Sequence, residues 1–379
     1  MITTNSKRGR VALMVAHCAG MVDLVALPVW VGALVSKYGL DAQQAGGLAT
    51  LFLAGVVLSS LFFAPRFNRI RGRVAAPLGF LVAAIAFGAV SMTQDFTAMA
   101  VLHGLAGLAA GCGLSFTHGT IGRSLNPHRL FAVVGIALGV FAIAFYAAVP
   151  PLIERVGGSA LFIVFGSVMA AAAAVAGLAF PIPDTSAVSV TQSQGRMRPA
   201  VWFAVFGVAC MGLVQAMMFS FVERIGADRS FGAAAVAGVL IAIGFVNLVP
   251  APLAALLQRK LPAKAVVLGG PLLQASMALV ITQSSSFVPY AVATALLPTI
   301  IVFTHTFAFG LLAALDPSGR AVAATPAMLM IGAAIGPVLG GTLVKTAGYG
   351  SLGLVALVIA LLAVASFSRV RTVSPSESY

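Results

Sequence analysis

The sequence predicts an all-α integral membrane protein of twelve transmembrane helices in two six-helix, pseudo-symmetric halves. Three observations predict it: scarce charge, apolar runs of membrane-spanning length, and an echo between the halves of the chain. Of 379 residues, 60% are hydrophobic and only 8% are charged. Soluble domains carry roughly 25% charged residues, so most of this surface must face lipid. A helix crossing ~30 Å of hydrocarbon needs about 20 apolar residues. Twelve runs meet that length, near 11–35, 45–64, 74–93, 97–121, 131–151, 159–180, 200–222, 232–257, 264–282, 287–313, 321–345 and 350–368. Backbone groups in lipid must bond internally, and the alternating pattern of barrel strands is missing, so these spans are helices.

The echo has one offset. Arg69 follows the second run and Arg259 the eighth, 190 residues later; Asn126-Pro127 follows the fourth and Asp316-Pro317 the tenth, again 190 later. A shared offset suggests an internal repeat. Between the halves lies PIPDTSAVSVTQSQGRMRPA, the longest connection, polar and Pro-bearing. It reads as a cytoplasmic linker. The expected division is an N-terminal half at 1–180, a linker at 181–199 and a C-terminal half at 200–379. The closing SPSESY is expected to be a disordered tail.

The formal charge is +13. In a soluble protein that would suggest nucleic acid, but here the basic residues sit in short loops and no nucleic-acid partner is expected. With the N-terminus inside, seventeen Lys and Arg fall on inner segments and five on outer ones, namely Lys37, Arg155, Arg224, Arg229 and Lys345. That asymmetry is the positive-inside pattern. It predicts a multi-pass protein of the inner (plasma) membrane with both termini cytoplasmic. The basic MITTNSKRGR leads into a run too long for a signal-peptide core, so it begins the first span.

Cys18, Cys112 and Cys210 lie in apolar runs with no metal spacing, and they read as small core residues. No nucleotide-binding G-x-x-x-x-G-K-[ST], H-E-x-x-H or G-x-S-x-G is present. ATP drive, metal and cofactor are therefore not expected, and neither is enzyme activity.

The loop after the second run reads Ala64-Pro65-Arg66-Phe67-Asn68-Arg69-Ile70-Arg71-Gly72-Arg73. It resembles the G-x-L-A-D-R-x-G-R-R loop of the major facilitator superfamily. Arg69 and Arg73 are kept, Ala64 replaces the Gly, and Asn68 replaces the Asp. In that family the Asp joins a charge network that biases the two halves between conformations, so with Asn68 the network must be weaker or rebuilt. Leu102-His103-Gly104-Leu105-Ala106-Gly107 on the fourth span resembles the drug/proton antiporter segment, with His103 roughly where an Arg stands. Gly332-Ala333-Ala334-Ile335-Gly336-Pro337-Val338-Leu339-Gly340-Gly341 matches the antiporter G-x-x-x-G-P-x-x-G-G pattern, but on the eleventh span rather than the fifth. It indicates either export or close packing through small residues. The resemblance covers essentially the whole chain and implies alternating access about a central site.

Asp23 is the sharpest single feature. It lies about 12 residues from each end of the first run, ~18 Å from the inner face at ~1.5 Å per residue. An ionised carboxylate there costs roughly 2.5–3.5 kcal/mol on insertion scales, which makes Asp23 the candidate proton carrier. The plain alternative is an Asp bonded to a neighbouring helix. Pro28, five residues on, is expected to kink the span. His103 lies ~9 Å below the outer end of the fourth run, at a similar depth to Asp23, so the two could share a proton. His118 is expected near the inner end of the same span with Arg123 about one turn further. With Arg69 and Arg73 they form a candidate conformational gate. In the second half, Gln215, Met218, Thr304 and His305 are the candidate substrate contacts, polar groups for orientation and soft apolar groups for fit. His17 reads as structural and Trp30 as an interface anchor. Glu223-Arg224 and Glu154-Arg155 read as solvated pairs of little energetic weight.

The leading expectation is proton-coupled export of a small organic molecule by a monomer embedded in lipid. Proton-coupled uptake of an organic anion is the alternative, and a membrane-embedded transferase the remote one.

Overall fold

The computed structural model describes residues 2–63, 66–184, 198–258, 260–316 and 325–370. Fourteen helices run through them: α1 Lys7–Gly20, α2 Val22–Tyr38, α3 Ala42–Phe63, α4 Gly72–Val90, α5 Phe96–Gly122, α6 Pro127–Val156, α7 Ser159–Ala179, α8 Pro199–Asp228, α9 Ala233–Val246, α10 Pro250–Leu257, α11 Ala263–Gln283, α12 Phe287–Leu315, α13 Thr325–Ala347 and α14 Gly350–Ser368. Their ends follow local chemistry. Ser6 caps α1, its Oγ accepting from Gly9 N at 3.1 Å, and Asp95 caps α5, its Oδ2 accepting from Ala98 N at 2.7 Å. Gly39 closes α2 in the left-handed conformation, φ 65°.

Eleven stretches among the described residues are long and apolar enough to cross a membrane, and the 32 residues of Lys7–Tyr38 count as one of them. The eighth predicted span is interrupted. It forms α9 of 14 residues and α10 of 8, separated at residues 247–249. Pro250 and Pro252 supply no backbone N–H, and their rings crowd the preceding turn. Counting that interrupted crossing, the architecture is the predicted twelve-span, all-helical one. The first span is interrupted too: Met21 lies between α1 and α2 with φ −110° and ψ 22°. Pro28, where a kink is expected, lies inside the unbroken run of α2.

Several expectations lie outside the described residues. They are most of the linker (185–197), Ala64-Pro65, Arg259 and Pro317 of the echo, and the tail beyond 370.

The chain divides into two compact units, Met1–Ser189 with Pro337–Thr342, and Val190–Gly336 with Leu343–Tyr379. In the first, α5 packs against α3 and α4, and α4 against α7. Small residues set the approach of α3 to α5: a Cβ added to Gly107 would lie 2.0 Å from the Phe52 carbonyl oxygen. At the end carrying the N-terminus, Thr3 bridges Ile182, and Asp184 accepts from Thr4 Oγ1 and from the Leu125 amide at 3.3 Å. In the second unit, α11 packs against α12 and α14, and α14 against α8. A Cβ on Gly332 would lie 2.0 Å from the Ala209 carbonyl, and one on Gly336 would lie 2.6 Å from Met217 N. The first two glycines of the eleventh-span pattern therefore serve close contact between α13 and α8.

Two surface expectations are corrected. Trp30 is not an interface anchor: it is completely buried, because α2 is the core-facing part of its span. Glu223 and Arg224 are only partly exposed, and Glu223 Oε2 and Arg224 Nε are sealed from solvent. Glu154 pairs with Lys37 at 2.9 Å, on the surface. Elsewhere on the outside, Val74, Leu78, Leu81 and Ile85 of α4 are exposed in helical register, as a lipid-facing stripe requires.

The α3–α5 contact makes a prediction. Gly107→Ala should destabilise the protein by ~1–3 kcal/mol through overpacking. Gly104→Ala, on the same helix with open space around its Cβ, should be neutral or slightly stabilising. Thermal unfolding in detergent checks the contrast; equal melting temperatures would refute the close approach.

Candidate functional site

Asp23 occupies the first turn of α2, just past the break at Met21. Its side chain is 7% exposed, and Oδ1 has no hydrogen-bond partner. The helix break explains how a carboxylate can be held there. The Leu24 amide is taken by the Met21 carbonyl at 3.2 Å, and the dipole at the start of α2 favours negative charge nearby. On the other side of the break, Gly20 sits against Leu114 of α5, whose side chain would lie 2.7 Å from an added Cβ. Tyr146 of α6 donates its hydroxyl to the Val25 carbonyl, two residues beyond Asp23, and is itself buried. The break is thus held by α5 on the α1 side and by α6 on the α2 side.

His103 is fully buried and its Nδ1 bonds the Met99 carbonyl at 2.7 Å. As that carbonyl can only accept, Nδ1 carries the proton and Nε2 presents a lone pair, without a partner. The ring stacks on Trp30 at 5.5 Å, with Phe162 at 5.4 Å and Phe87 at 6.2 Å edge-on. Phe52 and Phe165 close on Trp30 at 5.2 and 4.9 Å. No hydrogen bond joins His103 to Asp23. His103 is level with Trp30, seven residues past Asp23 and so ~10 Å along α2. The depth estimate shifted because α1 and α2 together span 32 residues, more than the apolar run alone.

A second histidine pair was not anticipated. His17 Nδ1 and His118 Nε2 lie 3.0 Å apart between α1 and α5, with ring centroids at 5.1 Å and Phe131 of α6 edge-on to His118 at 5.7 Å. Only one of the two facing nitrogens can carry the proton of that bond. The residues are 101 apart in sequence, so no local signal pairs them.

Around the gate candidates, Arg123 donates to Asn68 Oδ1 and stacks on Phe67, its Cζ 4.3 Å from the ring centroid. Arg73 Nε donates to the Phe180 carbonyl at 3.0 Å. Arg69 is exposed, and its amide bonds the Arg66 carbonyl at 2.9 Å.

In the second unit, Gln215 of α8 is 8% exposed with Oε1 unpartnered, and Met218 is fully buried. On α12, which packs against α8, His305 is buried with Nε2 unpartnered and stacks on Phe309 at 5.6 Å. Thr304 is buried against Gly270 of α11. Gln274, missed in the sequence, donates to the Met211 carbonyl at 3.1 Å and ties α11 to α8. No group of three or more metal-ligating side chains occurs among the described residues.

A family model described as Major Facilitator Superfamily matches residues 12–318. The chain belongs to that superfamily. It is a membrane transporter and not an enzyme. Among solved structures it is similar to a bacterial homologue of the human lysosomal transporter Spinster. The inward-facing, occupied form shares 14% identity and a TM-score of 0.74, over 98% of this chain and 100% of that one. The inward-facing, unoccupied form shares 14% identity and a TM-score of 0.66, over 97% and 95%. At such identity the likeness is one of fold. A search of curated proteins finds no match.

Tyr146→Phe removes one buried hydrogen bond beside Asp23 and should cost about 0.5–1.5 kcal/mol of stability. A lowered melting temperature in detergent is expected, and an unchanged one would mean that the Tyr146 bond does not hold α2.

Proposed function

We propose that the protein is a proton-coupled secondary transporter that exports a small organic molecule by alternating access. The observation that carries this reading is Asp23, a carboxylate with an unpartnered oxygen, held in the apolar interior at a helix break. Broken helices are where secondary transporters commonly place ions and substrates. A group that exchanges a proton there alters the relative stability of the outward-open and inward-open states. The transmembrane potential contributes ~2.3 kcal/mol per charge per 100 mV. Coupling requires that proton and substrate each bind the two states differently.

The remaining roles follow from position and chemistry. His103 of α5, in its aromatic surround, assists proton coupling from the level of Trp30. Gln215, Thr304 and His305 offer hydrogen bonds to a substrate, and Met218 an adaptable apolar surface. Arg69, Arg73, Arg123 and His118 gate the first half. The two halves comprise residues 1–180 and 200–379, joined by a linker at 181–199. The protein acts as a monomer in the inner membrane with both termini cytoplasmic, an orientation supported by its basic inner loops.

Asp23→Asn tests the central role. In vesicles the variant should lose gradient-driven accumulation and keep substrate exchange, because exchange needs no net proton movement. Normal accumulation by Asp23→Asn would make Asp23 structural. Collapsing the pH gradient should likewise abolish accumulation by the wild type; transport that continues unchanged would remove the proton from the mechanism.

A further inference from the structure

A cavity of about 430 Å³ lies in the first unit, framed by the loop before α4, the first turn of α4, the end of α5 and the chain after α7. Arg71, Arg73 and Arg123 line it, with Asn68 and Thr120, and none of its lining residues is a carboxylate. Asp184, next in sequence to its edge, is engaged by Thr4 and the Leu125 amide. Three guanidiniums around one space repel each other, and an anion among them replaces that repulsion with charge-assisted hydrogen bonds. Burial pushes the Arg123 guanidinium down from its ordinary pKa, which an anionic neighbour would reverse. Gly72, Arg73 and Val74, the opening residues of α4, belong to the same wall, and α4 has no side-chain cap.

The surroundings indicate what carries the anion. Val74 lines the cavity and is 53% exposed, and it begins the stripe of exposed Leu78, Leu81 and Ile85 along the outside of α4. An ester with a charged head and long apolar chains matches both features at once. The planar fork of arginine suits phosphate oxygens.

We propose that this cavity binds a phosphate group presented by a phospholipid whose chains lie along the α4 stripe. The test uses the full chain in detergent, with native mass spectrometry to measure retention of phosphatidylglycerol and of a diacylglycerol with the same chains, and calorimetry with inorganic phosphate. Phosphatidylglycerol should be retained and diacylglycerol should not. Arg71→Gln, at an exposed position, and Arg123→Gln should each weaken binding about tenfold, as loss of a charged hydrogen bond implies. Arg71→Lys should restore part of it. Arg8→Gln, exposed and outside the cavity, should change nothing. Arginine-dependent binding of inorganic phosphate without lipid retention would keep the phosphate site and assign it to a soluble ester. Equal binding by wild type and both Gln variants, or no binding of either probe, would overturn the proposal.

Discussion

A carboxylate enclosed by apolar helices constrains everything packed around it. At the centre of a bilayer, an ionised Asp costs roughly 2.5–3.5 kcal/mol on insertion scales. Asp23 can be kept there only by features that lower that cost or exploit it. The break at Met21 provides one, because it turns the start of α2 into a set of amides near the carboxylate. Tyr146, bonded to Val25, and Leu114, packed on Gly20, hold the two half-helices on either side. A continuous helix would have used the same amides in its own ladder.

Above the carboxylate the chemistry changes. Trp30, His103 and four phenylalanines form a dry aromatic cluster in which the imidazole is fixed by a single bond to Met99. Below it, His17 and His118 share one proton between α1 and α5. The first unit therefore stacks three distinct polar features along its core. The second unit is different in kind. Its buried polar groups on α8, α11 and α12 are amides, hydroxyls and one imidazole, joined by Ser366 on α14 and by the Asp316 carboxylate at the end of α12.

Much of the fold was legible because lipid imposes a simple rule on length and polarity. The twelve runs correspond to the helices, and the interrupted eighth span carries Pro250 and Pro252, whose effect is predictable. The break at Met21 had no such mark. Gly20 and Met21 are tolerated inside helices, and Gly20 packs closely against Leu114 from another element. Depth counting put Asp23 and His103 together because it counted from the apolar run at 11–35 rather than from the 32 residues of Lys7–Tyr38. The His17–His118 pair, the covering of Trp30 and the Asn68–Arg123 contact are all long-range, set by how α1, α3 and α5 pack. Sequence periodicity gives a residue's face, not the neighbour that meets it.

The claim on which the account depends is that Asp23 gains and loses a proton within the membrane. Infrared difference spectroscopy of the reconstituted protein, between acidic and alkaline conditions, detects the carbonyl stretch of a protonated carboxyl directly. The account predicts a pH-dependent carboxylic-acid band in the wild type that is missing from Asp23→Asn. The same band in both proteins, or none in the wild type across the working pH range, would contradict it.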